Sequence, residues 1–188
     1  AISHPDPTRR AQIQMQKPLP KRFYKEVSIG QSDAGYLVLL DGKPVRTPAK
    51  GELAAPTARL AELLRDEWAN QVEVIDPRNM PVTRLVNTAL DGVAADPQAV
   101  FEDILRFSAS DMLCYRAEGP DNLVIRQREN WDPILDWAAQ DVGARFILIE
   151  GVMPEDQPRE AVSAFASRLH RYDSPIALAA LHTITTLT

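Results

Sequence analysis

The chain has 188 residues, 45% of them hydrophobic and 25% charged, with a formal net charge of -5. That composition supports one ordinary domain or two small ones and excludes wholesale disorder, while the acidic balance argues against nucleic acid or an anionic membrane as the main partner. A single cysteine, Cys114, cannot form an internal disulfide, and no apolar run reaches the roughly 18 residues that span a bilayer.

Residues 1–20 are polar and punctuated by proline, and read as a flexible arm with neither a secretory core nor a transit-like helix. From Phe23 to Ile29 the side chains alternate with period two, as in a strand. A second short β-prone run, Tyr36–Leu40, ends in Asp41-Gly42, a dipeptide suited to a tight hairpin. The return segment Lys43–Thr47 contains Pro44, which places it at a sheet edge. After Pro56 the period changes to helical: Leu60, Leu63, Leu64 and Trp68 share one face up to about Gln71, and Val72–Ile75 is a brief strand or link.

A second helix is expected from Pro81, with Asn79 as its cap and Val82, Leu85, Val86, Ala89 and Val93 inward. A third opens at Asp96-Pro97, cap followed by first-turn proline, and buries Val100, Phe101, Ile104 and Leu105. Trp131, Leu135, Ala138 and Val142 stripe a fourth. Residues 145–150 fit a strand or another state. Pro158 and Ser174-Pro175 open two more helices, and the last, Ile176–Thr188, has almost no polar face. It is either buried all round or followed by further chain, and the second is the favoured expectation. The fold class is α+β: a small β-rich N-terminal lobe, residues 21–76 including the first helix, and a mostly helical C-terminal lobe, residues 77–188.

No usual catalytic arrangement emerges. There is no Gly-rich phosphate loop, and His4, His170 and His182 have no metal-ligand spacing, so no metal and no cofactor is expected. Cys114 between Leu113 and Tyr115 reads as a buried small hydrophobe rather than a nucleophile paired with His170. The i,i+4 carboxylates Glu62/Asp66 and Asp132/Asp136 read as solvated faces. The chain is therefore expected not to be an enzyme. Arg84, Asn87, Thr88 and Asp91 share one face of the second helix, and fit a wet surface, a polar network or a partner contact. Trp137 falls roughly 120° off the stripe of the fourth helix at 100° per residue, as a broad core face or an exposed aromatic anchor would. Arg84, Asn87, Asp91, Trp131 and Trp137 are the candidate partner-binding residues.

Six stretches resemble a known family: Lys21–Lys25, Leu40–Pro48, Glu67-Trp68, Met80–Asp91, Asp111–Arg116 and Trp131–Trp137. In order and spacing they are similar to the ATP-twelve family of F(1) ATP synthase assembly chaperones of mitochondria and related bacteria. The resemblance implies a β-rich lobe joined to a helical one. It also implies a chaperone that binds the unassembled alpha subunit of the ATP synthase catalytic head and prevents its aggregation, in the bacterial cytoplasm or, in a eukaryote, the mitochondrial matrix. An acidic position that the resemblance implies further along has no match here. The competing expectations are a small-molecule enzyme with a pocket between lobes, and a regulatory scaffold on the assembled ATP synthase.

Overall fold

The computed structural model describes residues 18–151 and 153–187. Of the expected arm, residues 1–17 lie outside the described residues, whereas the Pro20 carbonyl accepts the Ile75 N–H at 2.8 Å. The chain is α+β, and it divides into two compact units between Asn87 and Thr88, later than the 76/77 boundary expected from the sequence.

In the first unit, β1 (Val27–Ser32) pairs antiparallel with β2 (Gly35–Leu40), whose other side carries the two-residue strands β3 (Lys43–Pro44) and β4 (Ala54–Ala55). Asp41-Gly42 makes the β2–β3 turn with φ of 47° and 77°, left-handed backbone that aspartate and glycine tolerate. Pro44 sits at the sheet edge as expected, where its missing N–H costs nothing.

Strand β1 starts later than the alternation suggests. The Lys25 and Glu26 N–H groups both donate to the Asp41 carboxylate, at 3.0 and 2.8 Å, so the ladder proper begins at Val27. Upstream of that point Tyr24 is buried and Phe23 is 74% exposed. The two backbone donors, Glu26 first and then Lys25, hold the Asp41 carboxyl below its ordinary value of 3.8. A depressed folded-state value means that the stabilisation is present above the unfolded-state value and is lost as pH falls through the folded one. Asp41→Asn keeps the turn geometry but removes the charge. Urea unfolding in a pH series is therefore expected to show wild type losing more stability than Asp41→Asn on acidification below about pH 4, because only wild type has a carboxylate to protonate at position 41.

Helix α1 (Ala58–Ala69) starts at Thr57, whose hydroxyl accepts the Leu60 N–H at 3.3 Å, and buries Ala61 and Leu64 against the sheet. Its C-terminal carbonyls are closed by the Arg22 guanidinium, which donates to Ala69 at 3.3 Å and to Gln71, and lies 4.7 Å from the Tyr24 ring centroid.

Helix α2 (Pro81–Asp91) corrects the Asn79 cap. Asn79 belongs to a preceding 3-10 turn, Pro77–Asn79, capped by Asp76. The first-turn donors of α2 are taken by a side chain distant in sequence: the Glu67 carboxylate accepts the Val82 N–H at 2.6 Å, and the Thr83 N–H and hydroxyl at 2.7 Å each. That clamp joins the start of α2 to α1, which accounts for the first unit extending past residue 76.

In the second unit, α3 (Pro97–Ser108) starts at Asp96 as expected, its carboxylate accepting the Ala99 N–H at 3.1 Å. β5 (Tyr115–Arg116) follows, then α4 (Asp121–Trp137), β6 (Ile149–Glu150), α5 (Arg159–Leu169) and α6 (Pro175–Leu187). The ambiguous 145–150 stretch is strand only at Ile149–Glu150, parallel to β5. At Ile147 the Gln157 side chain takes the place of a neighbouring strand, accepting its N–H at 2.9 Å and donating to its carbonyl at 3.1 Å. Packing of α3 on α6 and α5 buries Phe101, Ile104, Leu169 and Leu178.

Ile184 of α6 is exposed, so this helix is not buried on every side. Its three late threonines return their hydroxyls to carbonyls of Ala179, Leu181 and His182 at 2.8–2.9 Å, which lets an almost apolar sequence carry them.

Candidate protein-binding surface

Helix α4 is unusual for this chain. None of its 17 residues is fully buried, and its main contact is with its own continuation, a π-helical turn at Ala138–Val142. Gly143, at φ 79°, ends that turn in the left-handed conformation that glycine adopts without strain. Ile134 and Trp137, three residues apart and so neighbours on one face, are 45% and 51% exposed. They border an apolar groove of about 170 Å³, whose other walls include Phe107 and Ile104 of α3, Leu113, Phe146 and Phe165 of α5. Asp111 is the charged side chain at this groove, and it is occupied locally, accepting the Leu113 N–H at 2.8 Å.

The other face of α4 is pinned. Arg116 of β5 is 7% exposed, pairs with Asp132 at 2.7 Å, donates to the Leu113 carbonyl and lies 5.3 Å over the Trp131 ring. The stretches Asp111–Arg116 and Trp131–Trp137, far apart in sequence, therefore meet through one guanidinium. Trp131 is half-buried beneath it and borders a separate shallow depression with Met112 and Gln127. The apolar lining and the exposed Ile134 and Trp137 at the rim suit a protein segment better than chemistry, since exposed apolar patches mark association surfaces.

The remaining candidates lie on α2. Arg84 is exposed, Asp91 is half-buried, and Asn87 is half-buried with its Oδ1 enclosed and lacking a hydrogen-bond partner. Arg84 and Asn87 belong to the first unit and Asp91 to the second. Sequence reasoning singled out Trp137 but missed Ile134, Phe107, Phe146 and Phe165. The i,i+3 spacing of Ile134 to Trp137 was the available signal for the first of these. The other three depend on tertiary packing.

Several of the ionisable groups considered for catalysis are occupied elsewhere. His170 stacks on Phe101 with centroids 4.2 Å apart, and His182 Nε2 lies 2.8 Å from Asp103. Asp66 pairs with Arg65. His4 lies outside the described residues. Among the described residues there is no group of three His, Cys, Asp or Glu side chains that could hold a metal ion, and no helix long and apolar enough to cross a membrane. Burial first, with help from Asp111, pushes the Cys114 thiol above its ordinary value. Its labelling by a thiol reagent at neutral pH is expected to be on the order of a hundredfold slower in the native chain than in urea. Equal rates in the two states would place the thiol at the surface.

Residues 21–139 match the model of a family described as ATP12 chaperone protein. The chain belongs to this family. The family match contains α1, α2, α3 and α4 complete, together with the Arg116–Asp132 pair. A crystal structure of the Atu1473 protein of Agrobacterium tumefaciens, described as a candidate chaperone, is 66% identical; the match covers 99% of this chain and 70% of that one, with a TM-score of 0.87. A crystal structure of Atp12 from Paracoccus denitrificans is 39% identical, over 89% of this chain and 72% of that one, with a TM-score of 0.85. The mitochondrial protein atp12 of Schizosaccharomyces pombe is 24% identical over 151 residues, 76% of this chain. The matched part is 52% of that yeast protein, so the chain spans about half the length of this relative.

Proposed function

We propose that this ATP12-family chain is a chaperone that acts without nucleotide and holds the unassembled alpha subunit of the ATP synthase catalytic head, preventing its aggregation during assembly of the complex. The observation that carries the reading is the family match across residues 21–139, supported by the likeness to the solved Atp12 of Paracoccus. An alpha subunit outside its hexamer exposes a surface normally covered by its neighbours, and such patches aggregate. Covering one needs binding energy alone. The reading makes the chain a binding protein and not an enzyme, working in the bacterial cytoplasm or, in a eukaryote, in the mitochondrial matrix; the yeast relative is named as mitochondrial.

The apolar groove beside Trp137 is the surface that we assign to the client, with Trp131, Arg84, Asn87 and Asp91 as further candidate contacts. A half-exposed tryptophan at a groove rim gains most on desolvation, so Trp137→Ala is expected to weaken suppression of alpha-subunit aggregation roughly tenfold while leaving the circular dichroism spectrum unchanged. Light scattering of diluted alpha subunit, titrated with wild type and variant, reads this. Full protection by the variant would remove the groove from the interface and leave the family reading to be tested separately.

A further inference from the structure

The two edges of the sheet are finished differently. On one, β3 and β4 are two residues long, and Pro44, Pro48 and Pro56 interrupt the chain, so little ladder is available for pairing. The other edge is β1, Val27-Ser28-Ile29-Gly30-Gln31-Ser32, six residues with neither charge nor proline, paired with β2 on one side alone among the described strands. Natural edges of this length are ordinarily blunted by a lysine, a proline or a bulge.

Register tells which groups the open side presents. Just below the ladder Asp41 donates its N–H to the Glu26 carbonyl, so by the antiparallel alternation Ser28, Gly30 and Ser32 are the residues that exchange hydrogen bonds with β2. Val27, Ile29 and Gln31 therefore turn their N–H and C=O groups outward.

We propose that β1 is a docking edge for a second copy of this chain, paired antiparallel about a twofold axis at Ile29. The strand is self-complementary in this register. Ile29 faces its own copy, Val27 faces Gln31, and all three outward residues exchange bonds with outward residues of the other strand. Ser28 falls opposite Gly30, which removes any side-chain clash there. Beyond the strand ends Lys25 falls opposite Asp33, twice by symmetry, and both residues are exposed. Glu26 falls opposite Ser32, so no like charges oppose each other.

Sedimentation equilibrium of the full chain over a wide concentration range tests this, with a charge swap. Wild type is expected to show a monomer–dimer equilibrium. Lys25→Asp alone sets an aspartate opposite each of the two Asp33 residues and is expected to weaken dimerisation roughly tenfold; Lys25→Asp combined with Asp33→Lys restores it. Both positions are exposed, so the fold survives and circular dichroism checks that it has. A wild type that stays monomeric at the highest reachable concentration, or a dimer indifferent to the single swap, overturns the proposal.

Discussion

Glu67→Ala is expected to destabilise the chain by about 3 kcal/mol, a large loss for a single helical surface carboxylate. The reason is where its two oxygens point. They receive the Val82 and Thr83 N–H groups, which the first turn of α2 cannot satisfy internally, at 2.6 and 2.7 Å, and the Thr83 hydroxyl besides. Thr83 is buried, so water cannot take over its donors when the carboxylate is removed. A charged acceptor at a helix N-terminus also interacts favourably with the helix dipole. Glu67→Gln keeps one carbonyl oxygen but turns an NH₂ toward backbone donors, and should lose roughly half as much. Urea unfolding followed by the fluorescence of the adjacent Trp68 measures both, and equal stability of Glu67→Ala and wild type would refute the clamp.

The second large effect is expected at Arg116. Its side chain is 7% exposed, and its partners are the Asp132 carboxylate, the Leu113 carbonyl and the Trp131 ring. Removing one partner of a buried ion pair costs roughly 3–5 kcal/mol. Here Asp132 keeps a 43% exposed side chain and rehydrates when left alone, so Arg116→Ala is expected to cost about 2–3 kcal/mol. Arg116→Lys should recover less than half of that, because an ammonium cannot reach a carbonyl and a carboxylate in the planar geometry of a guanidinium. Chemical unfolding with Trp131 and Trp137 as reporters separates the three proteins.

These two side chains also show what a single sequence conceals. Local signals read well: Asp41-Gly42 marked the hairpin, Asp96-Pro97 and Ser174-Pro175 opened helices, and Pro44 marked an edge. Each acts on residues within a few positions of itself. Glu67 acts on backbone 15 residues away, and no spacing rule links the two, so the cap of α2 was assigned to the nearer Asn79. The first turns of α4 were illegible for another reason. Sequence patterns register the stripe that a helix buries, and α4 buries none of its residues fully, so Asp121–Asn130 offered no stripe to find. Phe23 and Tyr24 show the same limit upstream of β1: Tyr24 is the inward neighbour, its hydroxyl donating to the Trp68 carbonyl 44 residues away at 2.7 Å.

For the candidate surface, the off-stripe angle of Trp137 fitted a broad core face and an exposed anchor alike, and the structure leaves the residue half exposed. The groove beside it was not legible, since its walls come from α3, α5 and the segment around Phe146, brought together by packing alone. A surface made of six separate segments has no linear motif.

Co-expression with the catalytic-head alpha subunit is the most direct trial of the proposed role. The account predicts that alpha subunit made alone collects in the insoluble fraction, that this chain carries it into solution as a complex, and that added beta subunit releases it. Alpha subunit equally insoluble with and without the chain, or a chain that associates with the finished complex and ignores free alpha subunit, would contradict it.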